Sequence, residues 1–96
     1  MDRPVSHRER DDTYSQVLAS LNDRWRVIVC KDGIQWILQF AKKNGATVQW
    51  RSRSYFRRRD ALIRVSAEFA GEIDPIAAAI LAGLPKIILG TQKETV

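Results

Sequence analysis

His7, Cys30 and a scatter of carboxylates are the side chains of this 96-residue chain that could make or break bonds, and their placement argues against catalysis. His7 is the only histidine and lies in MDRPVSHRERDD, a stretch without hydrophobic period. A general base needs a partner held within hydrogen-bond reach, and the sequence sets none beside it. Cys30 is the sole cysteine, so no internal disulfide forms and no cysteine-based zinc site can be assembled. Arg26 and Lys31 are its basic neighbours in sequence, but no base accompanies it. The acids have structural explanations: Asp12 and Asp74 as helix caps, Asp32 in a turn, and Asp60 in a first helical turn where the dipole favours a carboxylate. Glycine-rich phosphate loops and metal-ligand spacings do not occur. The chain reads as non-enzymatic, with no cofactor or metal implied.

Binding chemistry is better supplied. Residues 51–60, RSRSYFRRRD, set five arginines within nine positions and interrupt them with Tyr55 and Phe56. The net charge of +5 is unevenly spread: Arg24 to Arg64 carries +9 and the rest of the chain −4. So concentrated a positive field speeds encounter with polyanions, which here means nucleic acid or an acidic protein surface. Arg57, Arg58 and Arg59 fall at a predicted helix start, where positive charge opposes the dipole, so helix stability does not account for them. With Arg51, Arg53, Arg64 and Tyr55 they form a set suited to gripping phosphates while an aromatic ring stacks on a base. Phe56 is the better candidate for a core anchor at the strand-to-helix corner.

These residues need a scaffold. At 45% hydrophobic and 28% charged residues, most of the chain should fold, and its length suits one domain with one modest core. No apolar run is long enough to span a bilayer and the first residues lack a secretion signal, so the expected location is cytoplasmic, without a membrane partner. Residues 1–11 read as a flexible arm, 12–90 as the domain and 91–96 as a frayed tail. Tyr14, Val17, Leu18 and Leu21 recur at helical spacing behind a Thr13 and Gln16 capping box, which predicts a short N-terminal helix. From Arg24 the period becomes two. RWRVIVC, IQWILQFA and ATVQWRSR predict a three-stranded antiparallel meander with Trp25, Trp36 and Trp50 on one face. A two-residue Asp32-Gly33 turn pairs Val29 with Trp36, Val27 with Leu38 and Trp25 with Phe40; a three-residue Lys43-Asn44-Gly45 loop sets Phe40 opposite Val48 and Leu38 opposite Trp50. A helix over about 56–70, capped by Ser54 and stopped by Gly71, covers the tryptophans through Leu62, Val65 and Phe69. A second helix starts at Asp74-Pro75, turns Ile76, Ala77, Ile80 and Leu81 inward, and closes at Gly83. The fold class is α+β.

Alternation then predicts a second, outward face holding Arg26, Ile28, Cys30, Gln35, Ile37, Gln39, Thr47, Gln49, Arg51 and Arg53. Arg and Gln make bidentate contacts with base edges, and a sheet can enter a major groove. The same side chains are also ordinary solvent-facing strand residues. Ile28 and Ile37 add an apolar centre that would suit a protein partner or a homodimer.

The β-β-β-α order from Trp25 to Ala70 resembles in topology the DNA-binding domains of ethylene-response-factor proteins and the arm-binding domains of integrases. That resemblance implies a reading face of Arg26, Gln35, Gln39, Gln49, Arg51 and Arg53. The stretches WRVIVCKDGIQWILQ and DPIAAAILAGLP are similar to small proteins of bacterial plasmids and prophages, which implies a mobile-element accessory role. The first expectation is therefore a nucleic-acid-binding module. The alternative is a protein-binding inhibitor or adaptor, such as an anti-CRISPR, that sets its arginines against an acidic partner.

Overall fold

A computed structural model of the protein describes residues 6–88. Within them four antiparallel strands lie in the order β1-β2-β3-β4: β1 (Val17–Ser20), β2 (Trp25–Val29), β3 (Trp36–Asn44) and β4 (Thr47–Phe56). Helices α1 (Arg59–Ala70) and α2 (Pro75–Ala82) follow and pack on one face of the sheet. The architecture is α+β, but the sheet has one strand more than the sequence predicts, and no N-terminal helix forms among the described residues. No helix among them is long and apolar enough to cross a membrane.

The β2–β3 register is the expected one, with Trp25 opposite Phe40, Val27 opposite Leu38 and Val29 opposite Trp36. Its turn is wider than two residues: Cys30 N–H bonds Gln35 C=O at 3.0 Å, and Gly33 at φ +72° bonds Cys30 C=O at 2.8 Å. Lengthening the loop symmetrically preserves the pairing of the apolar faces.

Tyr14 to Leu21 forms turns and then strand β1. The cause lies in β2, where Val27 and Ile28 are both fully buried on opposite faces. A strand covered on both sides cannot leave its edge amides unpaired away from water. β1 satisfies them, pairing Val17 with Ile28 and, after a bulge, Ala19 with Val27 and Ser20 with Arg26. The predicted helical stripe is therefore split: Leu21 is buried on the helix side, Tyr14 on the other, and Val17 is 37% exposed.

The predicted flexible arm is folded from Ser6 onward; residues 1–5, like the predicted tail at 91–96, lie outside the described residues. Ser6 Oγ donates to Asp11 Oδ2 at 2.7 Å, Ser6 N–H bonds Thr13 C=O, and Ser15 N–H bonds Ser6 C=O, closing a compact loop. This loop lies on the sheet face opposite the helices. Arg10 C=O accepts from Trp50 N–H at 2.8 Å, so the arm also pairs with the edge of β4.

The β3–β4 register departs from prediction. The turn is Gly45-Ala46, Asn44 faces Thr47, and Gly45 takes φ +66° with no positive φ at Ala46, the sign pattern of a type II′ hairpin. A bulge between Leu38 and Gln39 leaves Arg53 as the extra residue on β4. Trp50 consequently faces Ala41 on the arm side, while Trp25 and Trp36 stay on the helix side. The tryptophans are divided between the two faces, and Arg51, opposite Phe40, moves to the helix side.

Because β4 runs to Phe56, α1 begins at Arg59 rather than near Phe56; Ser54 pairs with Leu38, and Arg58 stands at the N-cap without a side-chain cap. Gly71 at φ +75° ends α1 with its N–H on Ala67 C=O. Asp74 caps α2 through Ala77 N–H at 3.3 Å, Pro75 opens it, and Gly83 closes it, as predicted. Ala77 and Leu81 are its buried residues; Ile76 and Ile80, expected inward, are exposed. The small Ala77 brings α2 close to β1. The main core joins Leu21, Val27, Trp36, Leu38, Leu62 and Leu81, with Ile73, Val65 and Phe56 around them. Asn22 ties the β1–β2 turn to the helices: its Nδ2 donates to Ala70 C=O at 3.0 Å and Glu72 C=O at 2.9 Å, and its Oδ1 accepts from the Arg24 and Trp25 amides.

Candidate nucleic-acid interface

Two of the predicted reading residues are interior. Arg26 and Gln39 are 3% and 1% exposed, on the arm face of β2 and β3. Arg26 Nε donates to Gln39 Oε1 at 2.8 Å, and its Nη2 donates to Glu9 C=O at 2.9 Å and Asp11 C=O at 3.0 Å. Its guanidinium lies 4.3 Å from the centre of the Trp50 ring. Gln39 Nε2 completes the set by donating to Glu9 C=O at 3.1 Å. The arm's carbonyls therefore occupy the donors that would have read base edges. Burial pushes the Arg26 guanidinium down to about 10, against the opposing pull of Asp12, Tyr14 and Asp11, so it stays charged at neutral pH. Trp50 Nε1 donates to Asp12 Oδ1 at 3.0 Å, fixing the arm's far end. Ile28 and Ile37, the centre of the predicted dimer face, are fully covered beside Tyr14 and Cys30, which removes them as a contact surface.

The arginine triplet also has intramolecular partners. Arg59 Nη1 donates to Leu84 C=O at 2.8 Å, where the chain leaves the C-terminal end of α2. This explains a cation at a helix start: Arg59 serves the negative end of the neighbouring helix. Arg58 bridges to Asp60 at 3.3 Å in an exposed pair, and that bond holds the Asp60 carboxyl below its ordinary range. Arg57 Nε donates to Ile34 C=O at 3.2 Å. Arg64 projects from the exposed side of α1. Arg53, the bulge residue, lies 4.5 Å above Phe69, which stacks on Trp25. Tyr55 is 58% exposed on the arm face opposite Ile37, and Gln35 borders the same groove. The predicted set is thus dispersed over the arm face, the helix face and the α1 corner.

What the fold does assemble is a basic ribbon. β2 ends at Trp25, opposite Phe40, whereas β3 and β4 continue to Asn44 and Thr47. Past the Ala41 N–H to Arg24 C=O bond of 2.8 Å, β3 has no neighbouring strand but β4 among the described residues. Phe40 to Arg53 contains Lys42, Lys43, Arg51 and Arg53 and no acid. Lys42 faces Gln49 across the ladder, next to Phe40 facing Arg51, so Lys42, Gln49 and Arg51 share the helix-side surface, while Lys43 lies on the other. Arg24 joins Lys42 and Lys43 at a cleft that also includes Asp23. Among the described residues the side chains of Arg24, Lys42, Lys43 and Arg51 make no hydrogen bond or ion pair, and all four are exposed. Arg24, Lys42 and Lys43 were missed from the sequence; a Lys-Lys pair immediately before an Asn-Gly turn was the available signal.

Cys30 is buried, its Sγ 3.4 Å from the Ile34 amide. No protein family, curated protein or solved structure compared with the chain matches it.

Proposed function

We propose that the protein is a non-enzymatic nucleic-acid-binding accessory protein, acting through the β3–β4 ribbon with Arg24, Lys42, Lys43 and Arg51 as phosphate contacts. The observation that carries this reading is the acid-free β3–β4 ribbon, on and beside which the Arg24, Lys42, Lys43 and Arg51 side chains have no hydrogen-bond or ion-pair partner among the described residues. A two-stranded ribbon has the width that a major groove accepts, and Gln49 and Asn44 offer amides beside the cations. Arg26 and Gln39 are withdrawn from the interface proposed from sequence; Gln49, Arg51 and Arg53 remain, with Arg53 partly committed to Phe69. The assignment to a bacterial mobile element rests on the resemblance of the two stretches quoted above.

Fluorescence anisotropy with labelled duplex DNA, single-stranded DNA and RNA across a salt series tests the reading. Each phosphate contact removed lowers the salt slope by about 0.9 on a duplex. A K42E/K43E/R51E variant should lose about two to three units of slope, while R57Q/R58Q should change it little. Absence of binding to any of the three polymers at low salt refutes the proposal. The competing reading, an inhibitor or adaptor of an acidic protein, is favoured by the uncovered Ile76 and Ile80 on α2. A stoichiometric protein partner retained from nuclease-treated host lysate, with no polymer binding, would select it.

A further inference from the structure

The arm does not cover the whole second face. Between it and strands β3 and β4 runs a groove of about 640 Å3, within the range that small-ligand sites occupy. Its polar inventory divides into groups already satisfied and groups left over. Gln39 is used at both ends by Arg26 and the arm, and the Glu9 carboxylate accepts from Lys31 N–H at 2.8 Å. Among the described residues the Gln35 amide has no partner, Ser52 Oγ accepts from Gln39 Nε2 at 3.5 Å and keeps its proton to donate, and the Tyr55 ring is 58% exposed. Ile34, 42% exposed, adds an apolar wall. Arg8 and Arg10 from the arm and Lys31 from the β2–β3 loop also line the groove, none with a side-chain hydrogen bond or ion pair among the described residues. Glu9, whose carboxylate is engaged by the Lys31 amide, and Asp32 also border the groove.

An exposed aromatic ring beside a free amide and a hydroxyl proton, with cations lining the same groove, has the complementarity of a planar, hydrogen-bonding ring that carries a phosphate. We propose that this groove binds a single nucleotide unit, the base stacked on Tyr55 and hydrogen-bonded by Gln35 and Ser52, the phosphate held by Arg8 and Arg10. The inference deepens the nucleic-acid reading, from which it takes its ligand class. Its residues lie on the opposite sheet face from Lys42 and Arg51, so the two sites separate experimentally.

Titration with nucleoside monophosphates, with ribose 5-phosphate and with inorganic phosphate, read by the side-chain resonances of Trp50 Nε1–H and the Gln35 amide, tests it. Mononucleotides should bind at least about tenfold more tightly than ribose 5-phosphate, the range expected for one stacked base. Tyr55→Ala should abolish that preference, Tyr55→Phe should keep it, and R8Q/R10Q should weaken phosphate-bearing ligands without changing nucleoside binding. K42E/R51E, confined to the opposite face, should leave mononucleotide binding intact. Equal affinity for ribose 5-phosphate, an unaffected Tyr55→Ala variant or no response at millimolar nucleotide overturns the groove site. If the ribbon variant still loses its salt-dependent polymer binding in that case, the groove alone has failed.

Discussion

Replacing Arg26 by Met separates a structural arginine from a reading arginine. The guanidinium makes three hydrogen bonds, to Gln39 Oε1, Glu9 C=O and Asp11 C=O, and stacks 4.3 Å from Trp50. Hydrogen bonds from a charged donor contribute about 1.5 kcal/mol each at the low end, and a covered cation–π contact about 1 kcal/mol. Against this stands the burial of a cation, whose effect is visible in its pKa being pushed down to about 10. Relief of that burial, taken as about 2 kcal/mol, leaves a net loss of roughly 3 to 4 kcal/mol for Arg26→Met. In a domain of this size such a loss lowers Tm by on the order of 15 to 25 °C. Urea unfolding gives the free energy. Hydrogen exchange gives the location: the Ser6, Ser15 and Trp50 amides, all bonded within or to the arm, should lose protection before the β2–β3 ladder does. A variant within about 1 kcal/mol of the parent and with the arm still protected would refute this reasoning. So would unchanged stability together with weakened nucleic-acid binding, which would return Arg26 to the reading face.

Two further measurements address the interior. Ser66 Oγ is buried in the middle of α1 without a partner among the described residues, so Ser66→Ala removes an unsatisfied hydroxyl and should raise stability by about 1 kcal/mol; a destabilised variant would show that the hydroxyl has a partner. The Tyr14 phenol is raised above its ordinary 10, first by burial and then by Glu9, while its hydroxyl donates to Val29 C=O at 2.8 Å. Its folded value exceeds its unfolded value, so the stability it contributes is present below pH 10 and is lost as pH rises through the folded value. Ultraviolet titration of a Tyr55→Phe variant, in which Tyr14 is the remaining tyrosine, should give a midpoint above 10, and a midpoint at or below 10 counts against the burial of this ring.

The parts legible in the sequence are those fixed by local pattern. Matching apolar faces gave the β2–β3 register, and Asp74-Pro75, Gly71 and Gly83 marked helix boundaries by their backbone demands. The parts that were not legible depend on contacts distant in sequence. Tyr14 to Leu21 satisfied a helical template until β2 required an edge partner, and no local signal in RWRVIV says that both of its faces are buried. Arg26 and Gln39 looked like surface residues because their acceptors, the Glu9 and Asp11 carbonyls, belong to backbone groups that composition does not reveal. Charge concentration was visible; its partition between Arg59, bound to Leu84 C=O, and the exposed Lys42 was not.

One extra residue decides where that charge faces. Side chains alternate along a strand, so a single-residue bulge reverses the faces of every position beyond it. Between Phe56 and Ser54, β4 keeps step with Trp36 and Leu38; beyond Arg53 it is shifted by one, and Trp50 passes to the arm side while Arg51 and Gln49 pass to the helix side. Continuing the unbulged parity would put Trp50 toward the helices and Arg51 beneath the arm, where Asp11 and Asp12 already meet Trp50 and Arg26. The bulge therefore does two things with one residue. It gives the arm an indole to bind against and Arg26 a ring to stack on, and it moves the Arg51 cation away from the arm's carboxylates onto the surface it shares with Lys42. The same insertion that closes one face of the sheet thus leaves the ribbon's helix side positively charged, which is why the phosphate contacts are sought there.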